Sequence, residues 1–173
     1  MIDTSARTPW SKIALVTVPA IVLAGSASGW LSGSGYGTAW FDGLVKPSFM
    51  PPGWLFGVAW TILYSLLGIA LALIIAEPPS PRRRMALILF FVQLALNFAW
   101  SPIFFAGHDI RLAKLTIFVM AAIAGAAAGQ FWRIRPLAGG LMLPYLGWLI
   151  FAATLNAAFE RLNPGASVSL LGL

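Results

Sequence analysis

Hydrophobic positions in this chain neither alternate nor fall on one face of a helix. They run on unbroken. Five stretches, residues 13–31, 53–76, 85–107, 115–132 and 136–159, hold no Asp, Glu, Lys or Arg. A helix needs about 20 apolar residues to cross the hydrocarbon of a bilayer. Each stretch meets or approaches that length. The pattern therefore predicts an all-α fold, an integral membrane bundle of five transmembrane helices forming one domain over residues 1–173. Three polar connections are short: EPPSPRRR, HDIRLAK and RIR. The connection at residues 32–52 is much longer, rich first in Gly and Ser, then in Pro and aromatic residues. A long loop in a compact design is generally functional or disordered, and the rings in this one have apolar surface to bury, which argues for order. We read 32–52 as a functional loop.

Composition sharpens the class. The chain is 60% hydrophobic and 9% charged, with a mean hydropathy of +0.86. Soluble domains carry about 25% charged residues, so this chain cannot cover a water-facing surface. The net charge of +6 does not imply nucleic acid, because the basic residues cluster between apolar segments, where they orient helices. Arg7, Lys12, Arg82, Arg83, Arg84, Arg133 and Arg135 fall on one side, and Lys46, Arg111, Lys114 and Arg161 on the other. Seven against four predicts the N-terminus inside and both the long loop and the C-terminus outside. An alternative for the first segment is a signal peptide, with Arg7 and Lys12 as its basic region and GSAS near Ala27 as a cleavage site. The length of the apolar run argues for a helix instead. The chain has no cysteine, so thiolate metal sites and Cys nucleophiles are excluded.

Candidate chemistry is sparse. No ionisable side chain lies within the five segments, which argues against an ion-coupled transporter, since pumps and relays place such groups at membrane depth. His108 and Asp109 sit in a short loop. With no second His and no Cys the expectation is a solvated histidine and no metal. The interior polar residues are Gln93 and Asn97, four apart on one helical face, with Thr154 and Asn156 on the fifth segment. They either bond between helices, as membrane bundles commonly do, or line a cavity. Trp10, Trp30 and Trp132 lie at segment ends and fit an interfacial belt. Trp60 and Trp148 lie well inside their segments and do not. Their indole N–H groups need partners in a dry bundle. Walls of this kind suit a flat aromatic ligand with polar edges. Two GxxxG patterns, Gly25–Gly29 and Gly125–Gly129, permit close helix approach, within the bundle or across a homodimer seam.

Three blocks of this sequence resemble one family. The first runs Trp40, Phe41, Leu44, Lys46, Pro47, Phe49, Pro51, Pro52, Trp54, Phe56, Trp60, Leu63 and Tyr64. The second is QLALNFAWSPIFF, with Gln93, Asn97, Trp100 and Pro102. The third is PYLGWLIFAATLN, with Pro144, Tyr145, Trp148, Ala152 and Asn156. In order and spacing they look like the tryptophan-rich sensory protein and translocator protein family, TspO, also known as the peripheral-type benzodiazepine receptor.

The resemblance implies a five-helix bundle, usually homodimeric, with a pocket beneath the first loop. It implies binding of porphyrins such as protoporphyrin IX and haem-type tetrapyrroles, and in several members of sterols and isoquinoline-carboxamide compounds. Carried over, the ligand-binding residues are Trp40, Trp54, Phe56, Trp60, Tyr64, Asn97, Trp100, Trp148, Ala152 and Leu155. Some bacterial members degrade porphyrin in light and oxygen, and the tryptophans implicated correspond to Trp60 and Trp148. No cofactor, metal or nucleic acid is implied, only ligand and membrane lipid. Lys46 stands either as an interfacial anchor or as a partner for a propionate. Two departures matter. ATLNAAFERLN has Ala157 and Ala158 where animal members carry a sterol-pattern Tyr, leaving only Phe159 and Arg161 to approximate the pattern. Phe41 stands where many members have Tyr. The leading expectation is a membrane receptor or carrier that binds porphyrin and regulates tetrapyrrole levels. Light-driven porphyrin breakdown and sterol or lipid transport are the alternatives.

Overall fold

The computed structural model describes residues 9–168 and residue 170; Arg7 of the orientation count lies outside the described residues. Among the described residues seven α-helices follow one another: α1 Trp10–Leu31, α2 Ala39–Gly43, α3 Gly53–Ile75, α4 Pro81–Ser101, α5 Ile110–Ile134, α6 Pro136–Gly140 and α7 Leu143–Leu162. A π-helical turn, Pro102–Ala106, extends α4. No strand occurs among the described residues. Five spans among the described residues are long and apolar enough to cross a membrane: Trp10–Leu31, Gly53–Ile75, Pro81–Ala106, Ile110–Ile134 and Pro136–Leu162. The protein is an all-α integral membrane protein with multiple passes.

Boundaries follow local chemistry. Ser80 caps α4, its hydroxyl accepting from Arg83 N at 3.1 Å, with Pro81 at the first helical position. There the missing proline N–H costs nothing. Asp109 caps α5 and accepts from Leu112 N at 2.9 Å, so this helix starts five residues before the apolar run at 115. The fifth span is not one straight helix. The turn Leu141–Met142 divides α6 from α7, and Pro144 stands just beyond it. Arg83 closes the other end of α3, donating Nε to Ile74 O at 3.1 Å and Nη2 to Ile75 O at 2.8 Å.

Packing relies on glycine and on hydrogen bonds between helices. A Cβ on Gly68 would lie 2.6 Å from the Val18 Cα, and Thr17 donates its hydroxyl to Gly68 O at 2.8 Å. These contacts seal α1 to α3. A Cβ on Gly25 would lie 2.1 Å from the Tyr64 ring, so Gly25 of the first GxxxG pattern packs within the bundle. The segment weighed as a signal peptide thus forms one wall of the fold. Pro102 cannot donate to Phe98 O four residues back. Ser28 of α1 donates to that carbonyl instead, at 2.5 Å. A freed carbonyl needs such a partner in a bilayer. Two buried clusters result. One is centred on Leu67, Phe90, Met120, Phe131 and Tyr145; the other, under the long loop, on Phe41, Phe104, Ile110 and Phe159. The gap between them is the site.

Candidate functional site: an aromatic chamber under the long loop

A cavity of about 620 Å³ opens between α1, α3, α4, α5, α7 and the loop. Ligand pockets span about 300–1,000 Å³. Of the ten residues expected at a ligand site, nine line this one: Trp54, Phe56, Trp60, Tyr64, Asn97, Trp100, Trp148, Ala152 and Leu155. The tenth, Trp40, does not. Its ring stacks on His108 with centroids 4.3 Å apart and packs edge-on to Phe104 at 5.5 Å, while Nε1 donates to Ala166 O at 3.2 Å. Trp40 therefore clamps the loop to the chain beyond α7, behind the chamber wall. His108 is correspondingly half-buried against Trp40 rather than freely solvated.

The walls are rings in contact. Trp60 stacks on Tyr64 at 5.0 Å and meets Trp148 edge-on at 6.2 Å and Tyr145 at 6.5 Å. Phe56 closes on Trp148 at 5.9 Å, and Trp100 stacks on Phe104 at 5.1 Å. Helical spacing explains the set: Trp60 and Tyr64 share a face of α3, as do Trp148, Ala152 and Leu155 on α7.

Polar groups in the chamber are few and mostly engaged. Tyr64 donates its hydroxyl to Asn97 Oδ1 at 2.8 Å, Asn97 Nδ2 donates to the Tyr145 hydroxyl at 3.1 Å, and Tyr145 donates to Gln93 Oε1 at 2.8 Å. Both readings of Asn97 thus hold at once: it joins three helices and lines the cavity. Asn156 donates Nδ2 to Ile110 O at 2.9 Å and also lines the cavity. Its Oδ1 and the Trp100 Nε1 are buried without a partner among the described residues. Thr154 is exposed and donates to its own Phe151 carbonyl, so it takes no part.

Lys46 is turned back on its own loop. Its ammonium donates to the carbonyls of Phe41, Asp42 at 3.0 Å and Leu44 at 2.9 Å, and sits 4.7 Å above the Phe41 ring. It caps α2 and holds the lid's fold. The lid is tied down by a residue the sequence reading overlooked. Asn163 accepts from Val45 N at 2.7 Å and donates to Val45 O at 3.0 Å. Nothing in a lone Asn past a helix end signals that pairing. Phe41 is 2% exposed and Phe159 lies 5.9 Å from it. The Phe159 of the weak sterol pattern is therefore turned into the bundle. Among the described residues, no three His, Asp or Glu side chains gather as a metal site would require.

A bundle of five spans enclosing an aromatic, ligand-sized chamber beneath a pinned loop defines a class: multi-pass membrane proteins with an internal chamber. Residues 16–162 match the TspO/MBR family, and the chain belongs to it. It is 39% identical over 155 residues to the translocator protein of Sus scrofa, covering 86% of this chain and 92% of that protein. It is 44% identical over 124 residues to the tryptophan-rich protein TspO of Archaeoglobus fulgidus, covering 72% and 80%. A translocator protein homolog of Schizosaccharomyces pombe is 34% identical over 164 residues, covering 92% and 95%.

Proposed function

We propose that this protein is a membrane receptor or carrier that binds porphyrins in the chamber and regulates tetrapyrrole levels. The observation that carries the reading is the cavity of about 620 Å³ walled by Trp54, Phe56, Trp60, Trp100 and Trp148. Flat faces offer stacking area to a macrocycle, since aromatic pairs favour offset and edge-on contacts. Tyr64, Asn97 and Asn156 on the lining are the few polar handles that such a pocket uses. The test is titration of the purified protein with protoporphyrin IX in the dark, read by the porphyrin absorption band. Saturable binding is expected, weakened about tenfold by Ala152→Phe, which projects a ring into the cavity. Cholesterol that binds and displaces the porphyrin would move the reading towards sterol transport; absence of any saturable porphyrin binding would refute it.

A second reading rests on the ring chain. Trp148, Trp60 and Tyr64 touch in series at 6.2 and 5.0 Å. An excited porphyrin would take one electron from such a series and pass it to oxygen, giving superoxide; the oxidised ring would then regain an electron from the porphyrin, whose radical cation superoxide attacks, so that oxygen is the net oxidant. Light-dependent loss of bound porphyrin in wild type, absent in Trp60→Phe and Trp148→Phe, would favour this enzyme-like role.

The same proposal includes a homodimer. The second GxxxG pattern supports it: Gly125 and Gly129 are exposed on α5, and a Cβ on either would meet nothing within 4 Å. The proposed orientation places the lid outside.

A further inference from the structure

We infer that the chamber is reached sideways from the bilayer, through a slot between the outer halves of α1 and α3, and that its ligands are molecules already dissolved in the membrane. The inference rests on the ligand-chamber reading above and adds the route and the physical class of ligand.

The exposed residues of the chamber lining all lie on one side. They belong to the last turns of α1, the start of the loop and the first turns of α3, and include Ser26, Trp30, Tyr36, Trp54, Gly57 and Thr61. Every lining residue from α4, α5, α7 and the later part of the loop, residues 40–50, is buried or half-buried. The two helices that frame the opening touch at one end and part at the other. They are in backbone contact at Val18 and Gly68, and in ring contact at Gly25 and Tyr64. One turn beyond Gly25, a Cβ on Gly29 would meet only Ser34 of its own connection, and two turns beyond Tyr64 one on Gly57 would meet nothing within 4 Å. The slot reaches inwards as far as Thr61, eight residues into α3 and so about 12 Å along it at 1.5 Å per residue. That depth lies within the hydrocarbon, not in the headgroup layer alone.

The chemistry of the rim agrees with its place. Polar groups facing lipid must be satisfied internally. Thr61 donates its hydroxyl to Gly57 O at 2.8 Å, and Ser65 to Thr61 O at 2.7 Å. Trp30 and Trp54 are 81% and 69% exposed, one at the end of α1 and the other at the start of α3, where indoles favour the interface. Over residues 40–46 of the loop the route from water, by contrast, is closed. The lid is held by the Asn163–Val45 pair, by Lys46 on three carbonyls and by Trp40 on Ala166. Phe41 and Phe104, each 2% exposed, plug the space beneath it.

The chain has no cysteine, so a reporter thiol can be placed in the chamber as Ala152→Cys. The protein is reconstituted in lipid vesicles and labelled with pyrene maleimide, which partitions into the bilayer, or with a sulfonated, membrane-impermeant thiosulfonate. The expected result is fast labelling by pyrene maleimide and labelling at least about tenfold slower by the charged reagent. Adding Gly57→Phe or Thr61→Phe should slow pyrene maleimide about tenfold without changing the slow rate of the charged reagent. Two separate blocking variants guard against one that fails to fold, and gel filtration identifies a misfolded one. Equal rates for the two reagents, or pyrene labelling unslowed by both blocks, would overturn the slot. No porphyrin is used, so this outcome is separate from the fate of the porphyrin reading, which the dark titration decides.

Discussion

Single side chains in this bundle act where lipid leaves no water to compensate. Gly25 is the sharpest case. A methyl there would stand 2.1 Å from the Tyr64 ring, and overpacking of this kind costs about 1–3 kcal/mol. Gly25→Ala should lower the melting temperature in detergent and weaken ligand binding together, because Tyr64 carries both the helix contact and the chamber wall. Asn97 is the second case. It joins Tyr64 to Tyr145, and hydrogen bonds between membrane helices average about 0.6 kcal/mol with a maximum near 1.7. Asn97→Ala should therefore cost about 1 kcal/mol by denaturation in detergent. A loss beyond about 3 kcal/mol would mean that the network is a stronger clamp than its bonds suggest. Gln93, Asn97 and Asn156 were legible as interior polar residues because so few interrupt the apolar runs. Their partners were not, since Tyr145 stands 48 residues beyond Asn97.

At the scale of elements, α4 shows how one proline links two helices. Pro102 frees the Phe98 carbonyl, and Ser28 from α1 takes it up at 2.5 Å. Ser28→Ala should destabilise by about 1 kcal/mol in the native background and by clearly less in Pro102→Ala, where the restored amide can serve the carbonyl. Residues sharing one interaction show coupling energies of about 0.5–3 kcal/mol in such cycles, and additive losses would refute the link. The lid gives a second test. Asn163→Ala removes both bonds to Val45, so hydrogen exchange at the Val45 amide should accelerate at least about tenfold while exchange in the α3 core is unchanged. On α5, Gly129→Leu places bulk on the outward face and should reduce chemical cross-linking of two copies if the seam lies there.

The whole molecule couples a pinned lid, a chamber and a proposed lateral slot. Orientation belongs to this scale. Single cysteines at Ser80, between α3 and α4, and at Gly43, in the loop, should be labelled from opposite sides of sealed vesicles, Ser80 from the inside. The reverse result would show that the basic-residue count misreads this chain. Ion pairs already occupy part of that count. Arg135 pairs with Glu77 at 3.3 Å at one end of the bundle, and Arg111 with Glu160 at 3.3 Å at the other, joined there by Lys114.

Hydropathy alone determined the class, the number of spans and their approximate limits, because a bilayer demands about 20 apolar residues per helix and tolerates almost no charge. Three-and-four spacing placed Trp60 with Tyr64, and Trp148 with Ala152 and Leu155, since helical periodicity is local. The family-like blocks brought nine of the ten expected residues to one chamber. Tertiary structure decided the rest. Whether Trp40 faced inwards or held the loop depended on His108 and Ala166, distant in sequence. Where the Lys46 ammonium goes depended on three carbonyls around the end of a five-residue helix that no periodicity announces. The side on which the chamber opens depended on where α1 parts from α3. That is a property of two helices in contact, set by the fit of Gly25 on Tyr64 and Gly68 on Val18, and not by either helix alone.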